Sequence, residues 1–142
     1  MRVALGIPVT PTPTPTPTCS PQANTLVINT SGASIGGSGN RDLVGMTVAN
    51  TSSSCILVID KITTTWNNSR NINSIVINGI TVWTGSASSG TQLDIQDYTL
   101  NPNSGTIPIT RFGFSGNMKN TTFNITFIMK DVSSKSTGNF SP

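Results

Sequence analysis

Apolar and polar residues alternate with period two along most of the chain, in short runs separated by Gly, Asn, Ser and Pro. That is the signature of half-buried β-strands joined by turns. Strands are predicted over residues 25–30, 43–50, 55–66, 72–78, 80–85, 91–97, 106–115 and 121–131, with a weaker one over 135–140. Val44, Met46 and Val48 form one face of the second, and Leu93 and Ile95 point inward from the sixth. Phe123, Ile125, Phe127 and Met129 alternate with Asn124, Thr126, Ile128 and Lys130 in the last long run. The run 55–66 changes phase near Asp60-Lys61, which predicts a bulge or a passage between sheets. Asn78-Gly79 is the strongest hairpin signal, because a type I′ turn needs positive φ at both central residues. The Gly/Ser-rich tract 31–40 reads as a flexible loop, 98–105 as a turn region around Asn101-Pro102-Asn103, and 131–134 as a tight turn. Eight or nine short strands at hairpin spacing predict an all-β fold, an immunoglobulin-like or Greek-key β-sandwich, with a closed barrel as the alternative.

Before this domain the alternation changes character. Thr10 to Thr18 is a strict Thr-Pro repeat. Each proline fixes φ near −65° and removes a donor, and each threonine before a proline is kept out of the helical region. Polyproline II remains, and at about 3.1 Å per residue the repeat forms a rod on the order of 28 Å long. Three parts follow: an apolar arm at 1–9, a polyproline II spacer at 10–18, and a β-sandwich at 19–142. In the arm, Val3, Leu5, Ile7 and Val9 alternate with Ala4, Gly6 and Pro8, so one face is strongly apolar and the other small. Such a strand on a stiff spacer suits addition to the sheet edge of a neighbour; the alternative is a disordered linker.

Composition narrows the function. Only 9% of the residues are charged, and the net charge of +3 comes from eight scattered Lys and Arg without a patch, so a nucleic-acid partner has no support. There is no histidine, and Asp42, Asp60, Asp94, Asp97 and Asp131 are the only acids; they show no acid–base pairing, so no catalytic residue, metal site or cofactor is assigned. The chain has no transmembrane run. Residues 1–9 are too short for a signal peptide, so any export signal is expected upstream or absent. Cys19 and Cys55 are compatible with one disulfide formed in an oxidising compartment, which would clamp the base of the rod; two free buried thiols are the alternative.

Sugars enter in two ways. Thr-Pro spacers commonly tether carbohydrate-binding modules, and Trp66, Trp83 and Tyr98 are candidates for a stacking platform; the strand pattern assigns at least one tryptophan to the core. Asn29, Asn50, Asn67, Asn120, Asn124 and Asn139 each head an Asn-x-Ser/Thr sequon, close to chance in a chain so rich in these residues. Thr10, Thr12, Thr14, Thr16 and Thr18 are better candidates, for O-linked glycans as in mucin-like stalks.

The segments Met46 to Thr51, Ile62 to Trp66, Ile77 to Gly85 and Thr122 to Lys130 resemble the β-sandwich domains of secreted, pilin-like bacterial surface proteins that follow a Thr/Pro-rich linker. The arm-plus-sandwich plan is separately similar to donor-strand filament subunits, such as chaperone-usher pili and archaeal bundling pili. The chain departs from type IV pilins in lacking a long N-terminal apolar helix. These resemblances imply a non-catalytic, extracellular, cell-surface subunit that polymerises head to tail with itself. In that scheme Val3, Leu5, Ile7 and Val9 of one copy fill a core groove in the next. A stalked or carbohydrate-binding surface module is the alternative.

Overall fold

The cleanest alternation in the sequence, over residues 123–129, forms strand β10 (Phe123–Met129), with Phe123, Ile125, Phe127 and Met129 fully buried. In this computed structural model, which describes residues 6 and 10–142, β10 belongs to a four-stranded antiparallel sheet ordered β11-β10-β5-β8. Its other members are β5 (Leu57–Trp66), β8 (Gln92–Leu100) and β11 (Ser134–Ser136). The opposing sheet contains β1 (Leu26–Asn29), β2 (Ser34–Gly36), β3 (Asp42–Val44), β4 (Thr47–Asn50), β6 (Ile72–Ile77), β7 (Ile80–Ala87) and β9 (Thr106–Phe114). Two separate sheets closing on one apolar core make this an all-β sandwich; the closed barrel is not formed. Successive strands repeatedly change sheet, as in Greek-key sandwiches.

Strand β9 organises the large sheet. One of its edges pairs with β4 at Thr106–Pro108 and with β3 at Phe112 and Gly113, and the other pairs with β6 from Ile109 to Phe114. Phe112 sits between Leu43 and Ile75, and all three are fully buried.

The predicted single strand 43–50 is two strands, broken at Gly45. That residue has φ of +86°, and its backbone packs against Gly32 so closely that a Cβ there would overlap the Gly32 carbonyl oxygen. The break shifts the phase: Leu43, not Val44, joins Met46 and Val48 inside. The tract 31–40, expected to be a loop, contains β2 paired with β3 and a short 3-10 turn at Ser38–Asn40. Bonds to β3 supply what the local Gly/Ser composition lacks. Likewise β8 continues to Leu100, because Tyr98 and Leu100 find partners in Ile59 and Leu57 of the long strand β5.

Other expectations are met. Asn78 and Gly79 have φ of 48° and 77° between the paired Ile77 and Ile80. The register of β5 shifts between Ile59 and Lys61, so the phase change is a bulge and not a passage between sheets. The weak last strand is shorter than predicted, ending at Ser136, with Phe140 returning to bridge Phe123.

Among the described residues the exposed large apolar side chains are Val27, Ile80 and Val132.

Truncating Phe112 removes a ring at the centre of three paired strands. Phe112→Ala is expected to cost about 3–5 kcal/mol, read as a lower urea midpoint with an unchanged slope.

Candidate assembly interface at the root of the arm

The Thr-Pro repeat is open to solvent: residues 10–18 are all exposed and carry no regular secondary structure up to Thr18. Thr10, Thr12, Thr14, Thr16 and Thr18 therefore offer their hydroxyls to solvent. The arm residues Val3, Leu5, Ile7 and Val9 lie outside the described residues.

At its root the rod is fixed by several kinds of bond. Thr18 makes a parallel bridge with Ile56; Ile56 N–H donates to the Pro17 carbonyl and Cys19 N–H to the Ile56 carbonyl, both at 2.9 Å. Cys19 and Cys55 form a disulfide with a Cα–Cα separation of 5.0 Å, and Cys19 is buried. The clamp predicted from the position of Cys19 is present, and neither cysteine is free.

Three residues on, the 3-10 turn Gln22–Thr25 is pinned to both sheets. The buried Gln22 side chain accepts from Val58 N–H at 2.7 Å, and Gln22 N–H donates to Asp131 Oδ2 at 2.9 Å. Ala23 N–H donates to Ser133 Oγ at 3.0 Å, and Lys135 Nζ donates to the Leu26 carbonyl at 2.7 Å. Burial raises the Asp131 pKa, but hydrogen bonds from the Ser133 hydroxyl, Gln22 N–H and Ser133 N–H outweigh it and hold the carboxyl below its ordinary value. Between Asp131 and Ser133, Val132 has φ of +64° and is 84% exposed. A β-branched residue is strained in that conformation.

Asn50 locks the other side of the root. Its Nδ2 donates to the Cys55 and Leu100 carbonyls at 2.8 and 3.1 Å, and its Oδ1 accepts from Ser52 N–H. Of the six sequon asparagines Asn50 is the buried one. Asn29, Asn67, Asn120 and Asn139 are exposed and Asn124 is half-buried. Sequence reasoning missed Gln22, Asn50 and Asp131 as structural anchors. The Asp131-x-Ser133 spacing signalled a turn, but nothing local signalled what the turn would hold.

The three aromatics proposed as a stacking platform are not brought together. Trp66 is a core residue, edge-on to Phe114 at 5.0 Å, with its indole N–H donating to the Arg70 carbonyl. Trp83 and Tyr98 are half-buried on strands of opposite sheets.

Of the acids, Asp60 and Asp97 are joined through Lys130, at 3.6 and 3.0 Å, while Lys61 reaches Asp60 at 2.6 Å. The Lys61 hydrogen bond, opposed by burial, holds Asp60 below its ordinary pKa; Asp60 and Asp97 in turn raise Lys61 and Lys130. The network ties β5, β8 and the end of β10 together.

A separate polar cleft of about 430 Å³ lies against the large sheet. Asp42, Gly113 and Ser74 form a row across β3, β9 and β6, and Arg41, Arg111 and Asn73 complete the walls. Among the described residues neither arginine nor Asp42 takes part in an ion pair. No group of three or more His, Cys, Asp or Glu able to hold a metal occurs among the described residues, and no helix there is long and apolar enough to cross a membrane.

Searches of protein-family models, curated proteins and solved structures found no match to this chain.

Two outcomes are expected. Replacing Cys19 and Cys55 by Ser opens a loop with a sequence separation of 36; the chain-entropy relation gives a loss of about 2–4 kcal/mol, measurable by denaturant titration with and without reductant. In acid, Asp60 contributes stability that is present above its ordinary pKa of 3.8 and lost as pH falls through its lower folded value. Tryptophan fluorescence across that range should show a steeper stability loss for the wild type than for Asp60→Asn.

Proposed function

We propose that this chain is a non-catalytic structural subunit of an extracellular, pilus-like surface filament. Residues 1–9 of one copy add as a strand to a neighbouring copy, so the polymer grows head to tail without cofactor, nucleic acid or membrane span in this chain. The observation that carries the reading is the root: an exposed Thr-Pro segment whose base is held by a disulfide, two backbone hydrogen bonds and the Gln22 anchor. A free linker has no need of a fixed base, whereas a load-bearing joint does. The segment Val3, Leu5, Ile7, Val9 supplies an apolar strand at the far end of that rod, and main-chain bonds plus roughly 25 cal/mol per Å² of buried apolar surface supply the joint. A contact between two different surfaces of identical copies does not close, and it generates a filament. O-glycans on the rod threonines would stiffen it and shield it from proteases.

A second reading, a stalked carbohydrate-binding module, is favoured by the polar cleft around Arg41, Asp42 and Arg111. It would place the sugar there instead of on the tryptophans.

Electron microscopy of the full chain beside its Leu5→Asp/Ile7→Asp variant separates the two. Filaments from the wild type alone, with equal thermal stability of both proteins, are expected. Monodisperse wild type, or filaments indifferent to the two charges, would remove the strand-addition reading, and glycan binding lost on Arg111→Ala would support the second.

A further inference from the structure

Resting on that reading, we infer that the edge receiving the arm is β7 (Ile80–Ala87), and that its occupant is residues 3–9 of a second copy. The edges of the sandwich differ in what they leave free. On β1 the Leu26 carbonyl is taken by Lys135 Nζ, and the strand is only four residues long. Strands β2 and β11 are three residues each, and β11 carries Lys135 at its centre. Strand β8 carries Asp94 and Asp97, charges of the kind that guard an edge against pairing.

Strand β7 has none of these guards. It runs for eight residues without a charged side chain, pairs only with β6, and carries the half-exposed Ile80. An uncharged edge of that length matches a seven-residue apolar strand, since both extend at about 3.3 Å per residue.

Placement agrees with chemistry. The rod is rooted beside β1 and the β10–β11 turn, through Gln22, Ala23 and the Lys135–Leu26 bond. In the sheet path from β1 through β4, β9 and β6 to β7, those are opposite margins. Four inter-strand spacings separate them, about 19 Å at the usual 4.8 Å. A donor on one margin and an acceptor on the other give a directional, repeating contact.

The test is disulfide trapping between full-length variants on non-reducing gels, with the native Cys19–Cys55 bond left intact. Ile7→Cys is combined in one chain with Thr84→Cys on β7, with Gln96→Cys on β8, or with Val27→Cys on β1, and each protein is also imaged by electron microscopy. A covalent ladder with the Thr84 pair and not with the other two is the expected result. Filaments whose ladder appears with Gln96 or Val27 would overturn the assignment of β7 while leaving strand addition standing. Absence of filaments from the wild type and every variant would overturn both.

Discussion

Strand β9 has its backbone paired on both edges, and the large sheet is built outward from that constraint. A strand so placed must be apolar on its inner face, which Ile109, Phe112 and Phe114 satisfy, and its partners must match it in register. The Leu43–Phe112–Ile75 row is the packed result on the inside. On the outside the same pairing lines up Asp42, Gly113 and Ser74, and the missing side chain at Gly113 leaves room for the Ser74 and Asn73 side chains that press against it. With β9 central, the sheet ends at β1 and β2 on one side of it and at β7 on the other.

The root of the rod depends on this frame for rigidity. The stiffness expected of a Thr-Pro repeat is of use only as far as its anchorage allows, and this anchorage draws on both sheets. Covalent bonding at Cys19–Cys55, backbone pairing with Ile56 and the buried Gln22 amide act on successive residues, so no single rotation frees the rod. Asn50 completes the joint by tying the turn after β4 to the carbonyls of Cys55 and Leu100. Buried polar groups of this kind are generally hydrogen-bonded: the Gln22 side-chain oxygen accepts from Val58 N–H, and the Asn50 amide is bonded through both its nitrogen and its oxygen. The Asp60–Lys130–Asp97 chain braces the small sheet at the bulge of β5, where a ladder irregularity would otherwise loosen it.

Short-range physics made much of this legible in the sequence. Period-two alternation fixed β10 and most of β5, because one face of each strand is dry and the other wet. Positive φ at two adjacent positions made Asn78-Gly79 a hairpin. Cysteine count and position pointed to the clamp. What local pattern could not give were features set by distant partners. The order in 31–40 and the break at Gly45 arise from close pairing and packing between the segments around β2 and β3, and the extension of β8 to Leu100 from its distant partner β5. Burial of Asn50 inside a sequon, the separation of Trp83 from Tyr98 and the inequality of the sheet edges were decided by tertiary structure, because each depends on which strands become neighbours, and neighbours in a sandwich are often distant in sequence.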